Sequence, residues 1–147
     1  MRAIYLDMDG TIVNLYGVPN WLEYLCNHNP LPYKCAPPLV NMNLLARQLN
    51  RLRACGYHIG IISWLSKAST PEYDDKVIIA KRAWLSKHLH SVTWDEIKIV
   101  PYGFPKHKAV LYANEAILFD DEERNRMDWT GTAYDANNIL ENLKGLL

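Results

Sequence analysis

Apolar residues fall into short runs and helical stripes that alternate along the chain. Ala3-Ile4-Tyr5-Leu6 is an unbroken run near the first residue, with the length and character of a buried strand. After an irregular stretch, Leu44, Leu45, Leu49 and Leu52 recur on one helix face, and Gly56 stands where a helix C-terminal glycine would. Tyr57-His58-Ile59-Gly60-Ile61-Ile62 predicts a second buried strand ending at Ser63. Val77, Ala80 and Trp84 mark the apolar face of a helix from about Asp75 to Leu89, and Ile97-Lys98-Ile99-Val100 predicts a third strand stopped by Pro101. A short helix around Lys108 to Ala113 leads to a fourth strand, Ala116-Ile117-Leu118-Phe119. Thr132-Ala133-Tyr134 predicts an edge strand, with Asp135 as N-cap of a terminal helix carrying Ile139, Leu140 and Leu143. This alternation predicts an α/β fold: a Rossmann-like parallel sheet with helices on both faces.

That architecture changes what the polar residues mean, because open parallel sheets bind ligands outside the carboxyl ends of their strands. The first strand delivers Asp7 and Asp9, which share a face as residues i and i+2. The second delivers Ser63, the fourth Asp120 and Asp121, and Lys106 and Lys108 sit on the connection before the fourth. Gly10 permits a sharp exit that brings backbone N–H groups close to an anion. Alone, an Asp-x-Asp-Gly run is ordinary turn chemistry, and Asp120-Asp121 would serve to cap a helix containing Glu122, Glu123 and Arg124. Convergence of three strand ends favours chemistry.

Composition narrows the class of partner. The 147 residues suit one domain, and sixteen basic residues balance sixteen acidic ones. No global field then favours a nucleic-acid polymer or an anionic membrane, and a small ligand is the natural partner. No apolar run approaches membrane-span length and no signal-like N-terminus is seen, so the expected location is cytoplasmic. Cys26, Cys35 and Cys55 lack zinc-ligand spacing and read as free thiols.

In order along the chain, Asp7-Met8-Asp9-Gly10-Thr11, Ser63, Lys106 or Lys108, and Asp120-Asp121 resemble the four motifs of the haloacid dehalogenase-like (HAD) phosphohydrolases. The stretch from Ile61 to Asp121, with Lys81-Arg82-Ala83-Trp84-Leu85 and Ile117-Leu118-Phe119-Asp120-Asp121, looks like the 5'(3')-deoxyribonucleotidase branch and its phage-encoded relatives. A phosphatase of a small phosphomonoester, first of all a nucleotide, is what the resemblance implies. Such chemistry needs a nucleophile, a cation for the phosphoryl oxygens and an acid for the leaving alcohol. Asp7 is the candidate nucleophile, forming an aspartyl-phosphate, and Asp9 the acid–base; an ordinary Asp pKa of about 3.9 must rise for the latter role. Acids clustered around an anionic substrate call for Mg²⁺, which takes carboxylate, water and phosphate oxygens. Asp7 and Asp120 are the expected side-chain ligands, Asp121 a further ligand or a supporting residue, and by resemblance Asp9 contributes its backbone carbonyl. Ser63 would donate its hydroxyl to the phosphoryl group. Lys106 fits the Gly-x-Pro-Lys lead-in of phage-type relatives and Lys108 the deoxyribonucleotidase spacing; Lys106 is preferred. Lys67 matches a phosphate-contacting lysine of that branch. Two other readings are a phosphotransferase using the same intermediate and a non-catalytic phosphate-binding or partner-binding domain, against which the complete acidic set weighs.

Residues from about Val13 to Pro38 form an insert. Trp21, Leu22 and Leu25 would line one face of a short helix capped by Asn20, and Pro30, Pro32, Pro37 and Pro38 mark a stiff return. The resemblance implies that this segment is a small cap. Tyr16, Trp21, Tyr24, Tyr33 and Trp64 are aromatic candidates for stacking on a base.

Overall fold

A computed structural model describes residues 1–147. In chain order the elements are β1 (Ala3–Leu6), α1 (Trp21–Cys26), α2 (Leu31–Cys35), α3 (Met42–Ala54), β2 (His58–Trp64), α4 (Pro71–His88), β3 (Glu96–Val100), α5 (Lys106–Ala109), β4 (Ala116–Phe119), α6 (Glu123–Asp128), β5 (Thr132–Tyr134) and α7 (Ile139–Lys144). The strands form one all-parallel sheet in the order β3-β2-β1-β4-β5. The chain thus winds outward from β1 to β3, then crosses back to β4 and β5. Its direction reverses between β1 and β4, where such sheets open a crevice.

Side-chain alternation builds two cores. Ile4, Leu6, Ile59, Ile61 and Phe119 pack on one face against Leu45, Leu49 and Leu52 of α3, Trp84 and Leu85 of α4, and Ile139 and Leu143 of α7. Tyr5, Ile62 and Leu118 face the other way, against Ala113 and Trp129. Burial on both faces explains why these strands read as continuous apolar runs.

Several boundaries differ from the sequence expectation. The α4 helix begins at Pro71 rather than about Asp75, because Thr70 accepts a hydrogen bond from the Tyr73 amide at 3.2 Å and proline fits the first turn. The α5 helix is shifted toward the N-terminus, covering Lys106–Ala109, and a 3-10 turn at Ala113–Glu115 precedes β4. Asn138, not Asp135, occupies the cap of α7; Asp135 instead accepts from the Asn137 amide at 2.9 Å. Asn20 does precede α1, but in a left-handed conformation without a side-chain cap bond. Cys26, Cys35 and Cys55 are free and exposed. No helix is long and apolar enough to cross a membrane.

Between β1 and α3 the chain makes an excursion that leaves and returns at one point. Val13 bridges to Asp9 and to Pro38, while the Asn14 amide donates to the Pro37 carbonyl at 2.8 Å. Leu15, Leu25 and Tyr33 of this segment pack on Leu65, Tyr73, Val77 and Ala80, binding it to the loop after β2 and to α4.

Gly60 has no room for a side chain. It pairs with Tyr5 on one side and Glu96 on the other, and the Tyr5 ring crosses it to donate to Glu96 Oε1 at 2.6 Å. His58 Nε2 at 2.7 Å and the Leu111 amide at 3.1 Å complete the surroundings of that buried carboxylate. Burial and then the Glu96 carboxylate hold the Tyr5 hydroxyl above the ordinary phenol range, so it stays a donor. A Cβ at position 60 would stand 2.6 Å from the Tyr5 ring. Gly60→Ala is therefore expected to lose about 1–3 kcal/mol by overpacking, lowering the melting temperature by about 2–4 °C per kcal/mol. Calorimetry on the two proteins measures it, and an unchanged midpoint would show that the ring is free to move aside.

Candidate active site

The strand ends at the crevice overrun their ladders by one residue. The Asp7 amide donates to the Phe119 carbonyl at 2.9 Å and the Asp120 amide to the Tyr134 carbonyl at 3.1 Å, which sets the two carboxylates side by side. After Asp7 the chain turns tightly: the amides of Thr11, Ile12 and Val13 all converge on the Met8 carbonyl at 3.0 Å. Gly10 adopts φ 81, the left-handed region that glycine enters freely, and a Cβ there would collide with the Asp121 carboxylate and the Tyr16 ring. Its own amide is spent inside the turn on Val13, at 2.8 Å. The amides of Met8 and Asp9, by contrast, have no acceptor within the chain.

The acidic residues divide into two groups. Asp7, 6% exposed, accepts from Lys106 Nζ on Oδ1 at 2.8 Å and from Thr11 Oγ1 on Oδ2 at 2.9 Å. Asp120 is fully buried; its Oδ2 accepts from Lys106 Nζ at 2.6 Å and Asn125 Nδ2 at 3.1 Å, and its Oδ1 from the Glu122 amide at 2.9 Å. Asp120 thus both faces the site and ties down the turn into α6. Asp121 is held through its amide, which donates to Thr11 Oγ1 at 3.1 Å. Carboxylate oxygens of Asp7, Asp120 and Asp121 lie within 4.8 Å of one another. The Asp9 carboxylate lies outside that cluster, with Oδ2 accepting from Lys81 Nζ at 2.8 Å.

The two candidate lysines part company. Lys106 begins α5 and is buried against Asp7 and Asp120, whereas Lys108, two positions along, is exposed and outside the cavity. Helix residues two apart point in different directions, so only one can reach the carboxylates. Burial pulls the Lys106 ammonium down, but Asp7 and Asp120 more than reverse this and keep it charged.

Ser63 stands behind the wall of the cavity. It shares the sheet face of Ile59 and Ile61, is 1% exposed, and its Oγ accepts from Lys81 Nζ at 2.7 Å. Ser66 lines the cavity instead. Trp64, on the opposite face, does line it, with Nε1 donating to the Phe104 carbonyl at 2.8 Å and Lys106 Nζ 5.4 Å from the ring centre. Lys67 is an exposed lining residue, 6.0 Å from the Tyr102 ring.

Lys81 is the residue that motif spacing overlooked as part of the site. Val77, Lys81 and Leu85 stand four apart on the buried stripe of α4, and a lysine in such a stripe must find partners inside. That misplaced charge was the available signal.

The cavity holds about 510 Å³. Asp7, Asp9, Lys106, Asp120 and Asp121 supply charged lining, and Tyr16, Trp21, Tyr33, Trp64 and Tyr102 supply aromatic surface. Tyr24 does not line it, and Tyr102 was not among the aromatic candidates.

No protein-family model and no curated protein sequence matches the chain. Among solved structures, the crystal structure of D,D-heptose 1,7-bisphosphate phosphatase from Burkholderia thailandensis is similar, with a TM-score of 0.52, 15% identity, and coverage of 86% of this chain and 70% of that one. The chain shares that fold.

Electrostatics test whether the donor set fits a divalent cation. Burial, followed by the charge on Asp7, lifts Asp120 to about 6 and Asp121 to about 8. Three clustered hard oxygen donors, with Asp120 and Asp121 both raised, suit Mg²⁺. An unfolded Asp titrates near about 3.9, so between that pH and about 8 the metal-free native state binds the extra protons and this contribution to stability falls as pH rises. A cation must displace those protons. The melting-temperature gain on adding Mg²⁺ is accordingly expected to be larger at about pH 8 than at about pH 5.5. Equal gains, or none, would show that the cluster holds no cation.

Proposed function

We propose that this protein is a Mg²⁺-dependent phosphatase that hydrolyses a small phosphomonoester, first of all a nucleoside 5'- or 3'-monophosphate, through an aspartyl-phosphate on Asp7. One observation carries the reading: Asp7 is held by Lys106 and Thr11 in a cluster with Asp120 and Asp121, and the adjoining amides of Met8 and Asp9 are unpaired. Mg²⁺ bound by Asp7, Asp120 and Asp121 would neutralise phosphoryl oxygens. Asp7 attacks phosphorus, and the free amides suit the charge that develops on the equatorial oxygens. Lys106 holds the nucleophile and balances the site. Burial lifts the Asp9 carboxyl above its usual range against the pull of the Lys81 ammonium, which favours an acid able to protonate the leaving oxygen.

Segment 13–38 is read as a cap, because it supplies Tyr16, Trp21 and Tyr33 to the lining of the cavity that also holds the acids. Aromatic walls suit a base, with stacking worth about 1–3 kcal/mol. The structurally similar protein is named for a sugar bisphosphate, so sugar phosphates belong beside nucleotides in any substrate panel.

Phosphate release with Mg²⁺ across nucleoside monophosphates and sugar phosphates tests the assignment. At least one nucleoside monophosphate is expected to turn over, and Asp7→Asn to lose about 10³-fold or more. Wild-type rates in Asp7→Asn would overturn the nucleophile. Turnover of sugar phosphates alone would replace the nucleotide, and phosphate captured by an added alcohol in preference to water would make the enzyme a transferase.

A further inference from the structure

Lys81 is 1% exposed and spends all three ammonium hydrogens inside the protein: on Asp9 Oδ2 at 2.8 Å, Ser63 Oγ at 2.7 Å and the Trp64 carbonyl at 2.8 Å. It does not line the cavity, and the Tyr33 ring covers it at 5.1 Å. Burying an ammonium group costs several kcal/mol before its partners are counted, and a leucine or methionine would fill the same stripe of α4 without that cost. Its bonds go to an acid of the site and to the end of β2.

We propose that Lys81 is a positioning residue for proton transfer: it clamps Asp9 by Oδ2 and so assigns Oδ1 as the oxygen that gives and takes the proton. This rests on the phosphatase reading above. An ammonium group only donates, so Oδ2 facing it carries no proton. Oδ1 accepts no hydrogen bond within the protein, and Asp9 is a wall of the cavity. In the first half-reaction an Asp7 oxygen bonds to phosphorus, the bond to the leaving alcohol breaks, and the proton on Asp9 Oδ1 passes to that alcohol's oxygen. In the second, water oxygen bonds to phosphorus, Oδ1 takes a water proton, and the Asp7 O–P bond breaks to release phosphate. Because Lys81 must donate to Ser63 as well, the serine hydroxyl is an acceptor there, and Asp9 is tied to the strand end rather than free to rotate.

The test compares kcat/KM for an alkyl phosphate, whose leaving group needs a proton, with that for p-nitrophenyl phosphate, whose leaving group needs little help. This parameter reports the chemistry up to alcohol release. General acid catalysis is worth about 10²–10⁴-fold, so Lys81→Met is expected to lose at least about tenfold more on the alkyl substrate. Once Asp9→Asn has removed the acid, adding Lys81→Met should cost less than about twofold further. The substrate ratio does not depend on how much of the variant is folded, and Lys81→Gln, which keeps a neutral donor in the stripe, provides a second variant with the same selective loss expected. Equal losses on both substrates, or a full additional loss in the Asp9→Asn background, would overturn the proposal while leaving the phosphatase reading standing. A wild-type protein that releases phosphate from neither compound, nor from any nucleoside monophosphate or sugar phosphate, with Mg²⁺ would remove both.

Discussion

Four carboxylates crowd one crevice, and two buried ammonium groups are the direct counter-charge that the fold places against them. Everything else about the site follows from that imbalance. Buried charges are tolerated only when paired and hydrogen-bonded, so Asp7 and Asp120 share Lys106 while Asp9 takes Lys81. Asp121 has no such ammonium partner, and burial together with the charge on Asp7 drives it up to about 8. A divalent cation would neutralise the excess, and the proposed phosphoryl chemistry draws on the same charge.

The winding of the chain delivers the two lysines from opposite sides. Lys81 comes from α4, on the sheet face shared with α3 and α7, and meets Ser63 there. Lys106 comes from the crossover between β3 and β4 on the other face and lies over Trp64. Successive residues of β2 therefore serve different lysines, because neighbouring strand residues point to opposite faces. The reversal between β1 and β4 supplies the opening, and Gly10 lets the backbone pass close beneath Asp121 and Tyr16.

The excursion between Val13 and Pro38 gives the pocket its other character. The acids and Lys106 supply charged lining, while Tyr16, Trp21 and Tyr33 supply aromatic lining. Burial and the nearby Asp9 carboxylate raise both Tyr16 and Tyr33 above the ordinary phenol range, so their hydroxyls remain neutral beside the acids. Tyr33 also packs over Lys81, which links this wall to the hidden lysine.

Local periodicity is enough to place strands, because burial on both faces forces an apolar run whatever the partners are. Thus β1 and β4 stand where their runs predict, and Asp7, Asp9, Asp120 and Asp121 follow from where those runs stop. Helix starts were less legible: Thr70-Pro71 outweighed the apolar stripe in placing α4, and a two-residue shift of α5 decided between Lys106 and Lys108. Ser63 was found by position yet turned away from the cavity by strand alternation. Lys81 was invisible as a site residue because its carboxylate partner lies 72 positions away. The alternating fold and the acids that gather at the strand ends are legible in local pattern, since both depend on neighbours along the chain. How those acids are neutralised depends on long-range packing, since a buried charge takes whatever partner the fold brings within reach.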